Sequence, residues 1–197
     1  MSSLNYIIFI KVDSTFLTRD LFVCSYSHMR DFFRYKEISN IKMNNLSFYQ
    51  THVKICIESS KTDIYRQGNT VIIAKKNTDT CPVKLLPYYC KIAELRAKSD
   101  EYSFRSLQFN KNLNKNTLSG ISKPLSYTRE RELLLEALVS IGCDNCILVL
   151  HSLRTGGATQ AANNNVSDRL FKAHGRWRSE NAKDGYVQDS LTAKLSV

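Results

Sequence analysis

The sequence predicts an α+β fold, mostly helical with one small antiparallel sheet, on three observations. Apolar residues recur at mixed three- and four-residue steps in several separate segments, as they do on helices with one buried face. Val53, Ile55 and Ile57 alternate with His52, Lys54 and Cys56, the period of two expected of a strand. The length of 197 residues has room for one domain with a sizeable core, and a hydrophobic content of 43% is ordinary for a globular chain.

The elements follow in order. Phe16, Leu17, Leu21, Phe22, Tyr26, Phe32 and Phe33 space a helix, a turn and more helix between Thr15 and Ile41, with Arg34 and Glu37 inside it. The strand around Val53–Ile57 takes Val71–Ala74 as its antiparallel partner across the polar turn Ser59–Asp63 and Gln67-Gly68-Asn69, which leaves Lys61 near the sheet edge. Pro82 suits a first helical position, and Val83, Leu86, Tyr89, Cys90 and Ala93 form one stripe behind it. Residues Lys98–Lys123, rich in Asn, Ser and Lys, show no periodicity and read as a surface excursion.

Ser126 or Thr128 caps the next helix, which carries Glu130 and Glu132 in its first turn. Its apolar face is Leu133, Leu134, Ala137, Leu138 and Ile141, and Gly142 stops it. Three short helices complete the pattern: Leu153–Ala162, Asp168–His174 stopped by Gly175, and Ser179 to about Tyr186. In the tail Val187–Val197, Leu191 and Leu195 stand four apart and predict an amphipathic helix that docks on a partner.

The 28 Lys and Arg against 18 Asp and Glu give a net charge of +10, which favours a polyanionic partner through phosphate contacts and counterion release. No apolar run is long enough to span a bilayer, and Tyr6–Ile10 is too short and lacks the basic leader of a signal peptide. An intracellular chain with no membrane partner is expected. Cys24, Cys56 and Cys90 lie in apolar-patterned segments, where a free thiol behaves as a small hydrophobe. Cys143 and Cys146 have metal-ligand spacing without a second close pair, so a reduced, packed pair is the expectation and a zinc site is not.

The residues with the most chemistry are near the C-terminus: His151-Ser152-Leu153-Arg154-Thr155-Gly156-Gly157, then Gly175-Arg176-Trp177, then Tyr186. His151 and Arg154, three apart, would leave one face of a helix and reach the same phosphate. Tyr186 stands nine positions after Trp177, enough for a turn and a short helix that returns a phenol to that phosphate. A tyrosine attacks well only where nearby positive charge lowers the cost of its anion, and a guanidinium stays protonated while binding two phosphate oxygens.

This ordered set resembles the tyrosine recombinase (phage integrase) family. Phe32-Phe33-Arg34-Tyr35-Lys36-Glu37-Ile38 is similar to the family's first arginine motif, and Lys61 in Glu58–Asp63 matches its β-turn lysine. The resemblance runs from about Thr15 to Tyr186 and implies an α+β catalytic domain over residues 15–197, after an extension at 1–14. By residue-by-residue carry-over, Arg34 and Arg154 bind the phosphate, Lys61 protonates the leaving 5′-oxygen, His151 serves in proton transfer, and Tyr186 is the nucleophile. The family's second histidine is often a tryptophan, and its spacing to the nucleophile selects Trp177, whose indole N–H can donate to a phosphate oxygen, over His174. Gly175-Arg176-Trp177 is also similar to the branch carried by eukaryotic mobile elements, which would place the chain in a nucleus.

The implied activity is cleavage and rejoining of double-stranded DNA through a 3′-phosphotyrosine, with no cofactor and no metal. Copies of the chain would associate on DNA through the C-terminal tail. The family places a helical core-binding domain before the catalytic one to close a clamp on the duplex, and no such segment is expected before Thr15. Two rivals stand beside the recombinase: a catalytically inactive DNA-binding remnant, and a type IB topoisomerase, which the expected lack of a clamp disfavours.

Overall fold

The computed structural model describes residues 33–140 and 150–188 apart from 62, 80, 119, 121 and 165; the side chains of 137, 138, 140, 150 and 151 fall outside the described set. The segment Thr15–Phe32, Cys143 and Cys146, the end of the helix at Ile141 and Gly142, and the tail with Leu191 and Leu195 therefore lie outside the described residues.

The first described helix is short, α1 at Tyr35–Ser39, and it buries Glu37, Ile38 and Ser39. Strands β1 (Leu46–Phe48), β2 (His52–Ile57) and β3 (Asn69–Ala74) form an antiparallel sheet in the order β1-β2-β3. The expected pair is present in the register Val53↔Ile73 and Ile55↔Val71. Along β2 burial alternates with the sequence: Val53, Ile55 and Ile57 are buried and the residues between them are half-buried. The sheet has a third strand, β1, that periodicity did not announce.

Helix α2 spans Pro82–Ile92 with Pro at its start, where the missing N–H would have had no helical partner. Its stripe of Val83, Leu86, Tyr89 and Cys90 packs into the same core as the sheet, and the fully buried Tyr89 hydroxyl donates to the Ser103 carbonyl at 2.7 Å. Within the stretch expected to be an irregular excursion, Leu107–Asn110 (β4) and Lys115–Leu118 (β5) pair as an antiparallel hairpin. Neither strand has a fully buried residue, so neither shows an apolar alternation that a sequence could display.

Helix α3 covers Tyr127–Ser140, and the Ser126 hydroxyl accepts the Arg129 N–H at 3.3 Å, which settles the cap on Ser126. Leu133 and Leu134 join the main core, and Glu130 is buried with them rather than solvated at the helix start. Three helices follow: α4 (Leu150–Asn163), α5 (Asp168–Gly175) and α6 (Glu180–Asp184). They carry a separate small cluster of Ala158, Phe171 and Trp177, against which Tyr186 and Val187 pack. Among the described residues, no helix is long and apolar enough to cross a membrane.

Candidate active site

Glu37 ties the beginning of the described chain to its end. Its carboxylate accepts the backbone N–H of Arg34 (2.7 Å) and Arg34 Nη1 (3.0 Å), fixing the start of α1. From 139 residues away, Arg176 donates Nη2 at 2.6 Å and Nε at 3.4 Å to the same carboxylate. Four donors thus meet two oxygens, about as many as a carboxylate can accept. Burial pushes the Glu37 carboxyl up, but Arg176 and then Arg34 outweigh it, so the acid is held below its ordinary range. The Arg176 guanidinium also lies 4.9 Å over the Phe33 ring and donates Nη1 to the His174 carbonyl at 2.8 Å.

Arg176 occupies the left-handed region, with φ of 55°, and ends α5. Gly175, expected to stop that helix, is instead its last residue. A glycine is required there for another reason: a Cβ would lie 1.8 Å from Cζ3 of the Trp177 ring, which rests directly on the backbone. At Gly156, by contrast, a Cβ would meet nothing within 4 Å.

Trp177 is buried between three groups. Its ring meets Phe171 edge-on at 5.0 Å and Tyr186 at 5.5 Å, and the Arg154 guanidinium stands 4.9 Å from its centroid. Its Nε1 is buried and finds no hydrogen-bond partner among the described residues. Such a donor is rare in a native fold unless a ligand or water completes it. Arg154, 1% exposed on α4, donates Nη2 to the Gly175 carbonyl at 2.6 Å and lies 5.2 Å from the Tyr186 ring. Burial lowers its pKa to about 10, with Arg34 and Arg176 acting in the same direction and Glu37 and Tyr186 opposing. The His174 imidazole is pushed down as well, by burial first and then by Arg176 and Arg154.

Tyr186 follows α6, whose start is capped by the Ser179 hydroxyl accepting the Ala182 N–H at 3.2 Å. Two clasps hold this segment. The buried Lys183 ammonium pairs with Asp168 at the start of α5, and with Glu180 at 2.8 Å and Asp184 at 3.4 Å on its own helix. The Thr159 hydroxyl, on the same helix as Arg154, donates to the Tyr186 carbonyl at 3.4 Å and accepts the Gln188 N–H at 3.0 Å.

Four of the six residues selected from sequence, Arg34, Arg154, Trp177 and Tyr186, are therefore linked through Glu37 and the Trp177 ring. His151 is in the first turn of α4, three residues before Arg154, and its side chain lies outside the described set. Lys61 is exposed on the β2–β3 loop, and no contact joins it to the others among the described residues. Sequence reasoning gave no role to Glu37, Thr159 or Lys183. An Arg-x-x-Glu spacing was visible for the first; nothing in the sequence pointed to the other two.

The sequence matches no family model and no curated protein. Among solved structures the chain is similar to the XerA recombinase, with a TM-score of 0.59 at 18% identity over 93% of this chain. It is similar to the XerH site-specific recombinase bound to difH substrate in a pre-cleavage complex, with a TM-score of 0.61 at 15% identity over 95%. The Tn1549 transposon integrase in complex with circular intermediate DNA gives 0.54 at 9% identity over 95%. The chain spans about half the length of these structures: 55%, 48% and 59% respectively. At such identities the likeness is one of fold, and the fold is the α+β fold of a tyrosine recombinase catalytic domain.

Proposed function

We propose that this chain cleaves and rejoins strands of double-stranded DNA with Tyr186 as the nucleophile. One observation carries the reading: the Tyr186 ring lies 5.2 Å from the Arg154 guanidinium and 5.5 Å from the Trp177 ring, whose buried N–H is unpartnered among the described residues. Arg34 and Arg154 hold the non-bridging oxygens of the scissile phosphate, and Trp177 donates to one of them. Tyr186 Oη attacks phosphorus, its proton passing to His151, while the bond to the 5′-oxygen breaks and Lys61 protonates that oxygen. The product is a 3′-phosphotyrosine diester. Attack by a second 5′-hydroxyl reverses the steps and restores DNA without an external energy source. Most of the acceleration comes from cations placed before the reaction begins.

The excess of basic residues supports a duplex partner, and the transposon integrase among the structural relatives supports a mobile-element origin. Gly175-Arg176-Trp177 favours the branch of the family carried by eukaryotic elements. The test is a nicked suicide duplex that traps the covalent intermediate. Wild-type protein should form a Tyr186-linked adduct; Tyr186→Phe should form none while binding the duplex nearly as well. Trp177→Phe should slow adduct formation and His174→Ala should not. Binding without any wild-type adduct would identify an inactive remnant, and adduct formed by Tyr186→Phe would overturn the nucleophile.

A further inference from the structure

The loop between β2 and β3 displays the two most exposed large apolar side chains among the described residues, Ile64 at 74% and Tyr65 at 82%. Its backbone from Asp63 to Gly68 is nonetheless well tied. Asp63 accepts the Gln67 N–H at 3.0 Å and the Gly68 N–H at 2.7 Å through its carboxylate, and the Arg66 N–H at 3.3 Å through its carbonyl. Asp63 N–H in turn reaches the Ser60 carbonyl at 3.0 Å. Arg66 turns the chain just after Tyr65 with φ of 51°, and Gly68 closes the loop at φ of 71° where a Cβ would crowd the Ile57 carbonyl at 3.0 Å. An apolar pair is thus presented outward by a braced loop, and exposed cations stand on both sides of it, Lys61 and Arg66.

Apolar side chains between cations fit a polyanion with an apolar interior, which is a base stack flanked by phosphates. We propose that Ile64 and Tyr65 form a wedge that packs against DNA bases beside the cleaved step, while Arg66 holds a neighbouring phosphate. The placement rests on the reading that Lys61 serves the leaving oxygen. Tyr65 is four residues from Lys61, at most about 14 Å along an extended chain. The wedge therefore meets the duplex within roughly four base steps of the cut, at 3.4 Å per step.

The experiment measures anisotropy binding of nicked duplexes over a salt series, with 2-aminopurine walked through the positions around the nick. Tyr65→Ser and Ile64→Ser/Tyr65→Ser should weaken binding roughly 5- to 150-fold, the range for loss of an aromatic–base stack, and leave the salt slope unchanged. Tyr65→Phe should bind as wild type. Arg66→Ala should lower the slope by about one, as expected for a single lost phosphate contact. Both side chains are exposed, so the melting temperature of the variants should not move. 2-Aminopurine emission should rise on binding within about four steps of the nick and lose that rise in the double variant.

Unchanged affinity and emission in the double variant, with a wild-type adduct still formed, would overturn the wedge and leave cleavage standing. The expected binding losses without any wild-type adduct would support the wedge and remove the cleavage reading. Preference of the Ile64–Tyr65 tip for anionic vesicles over duplex would overturn the wedge in favour of a membrane.

Discussion

Replacing Glu37 should do more damage than replacing any exposed charge in this protein. The Arg176 side chain is 3% exposed and the Glu37 side chain 1%, so Glu37→Ala would leave a guanidinium in a place that water does not reach. Arg34 is 22% exposed and can turn to solvent, so Arg176 accounts for most of the cost. Removing one partner of a buried pair costs about 3–5 kcal/mol, against a total stability of roughly 5–15 kcal/mol for a native domain. Converting both partners, Glu37→Met with Arg176→Met, removes the stranded charge and should recover most of that loss. Urea unfolding measures each variant, and the double-mutant cycle isolates the pair. Trp177 is the single tryptophan of the sequence and follows Arg176 directly, so its emission reports the site as well as the fold. Its emission in Glu37→Ala should shift to the red before global unfolding begins. A loss below about 1 kcal/mol in Glu37→Ala, or an equally large loss in the double variant, would refute the view that this pair joins the two ends of the site.

Gly175→Ala puts a methyl 1.8 Å from the Trp177 ring, so the ring must move. It should cost about 1–3 kcal/mol, as overpacking does, with a red-shifted tryptophan spectrum; an unchanged spectrum would mean that the contact yields without consequence. The His174 imidazole is held below its ordinary 6.5 by burial and by Arg176 and Arg154, so on acidification the unfolded chain takes up the proton first. Unfolding free energy should be level with respect to His174 above pH 6.5 and fall below it, and His174→Gln should flatten that fall. Below pH 4.5 a second decline should follow as protons reach Glu37, which is also held below its ordinary range. Urea midpoints from pH 4 to 8 that decline equally in wild type and His174→Gln would exclude this role.

What could be read from the sequence depended on whether a residue's neighbours were close along the chain. Strand β2 showed itself because one of its faces is buried, and α2 because Pro82 sits where a helix begins. Strand β1 has three residues, too few for an alternation, and the β4–β5 hairpin has no buried face to create one. Gly175 was visible but suggested a helix stop, since glycine is common there; its actual constraint is a ring two residues later. The positions of Arg34, Arg154, Trp177 and Tyr186 came from a resemblance in order and spacing. The contact that links the first to the others, Glu37 to Arg176, spans 139 residues and has no local signature.

The charges around Arg154 imply that the site is more stable when it holds an anion. Burial lowers the proton affinity of both Arg154 and His174 most; Arg34 and Arg176 add to it at Arg154, where Glu37 and Tyr186 oppose, and Arg176 and Arg154 add to it at His174. Two guanidinium groups, Arg34 and Arg176, thus act on Arg154 across the Glu37 carboxylate, and a phosphate-like anion in this positive surrounding would relieve repulsion while accepting the buried Trp177 N–H. An anion that binds only the folded state adds about 2.7 kcal/mol at a hundred times its dissociation constant. Phosphate or vanadate should accordingly raise the melting temperature more than chloride at matched ionic strength, a comparison that removes simple screening. Phosphate also strengthens burial in any protein by exclusion from its surface, so the decisive quantity is the increment lost on substitution. Arg154→Ala should lose the excess over chloride, whereas Lys115→Ala, on the exposed β4–β5 hairpin, should keep it. If both variants retain the full increment, the anion acts on the surface at large and the positive field at Arg154 has no phosphate to serve.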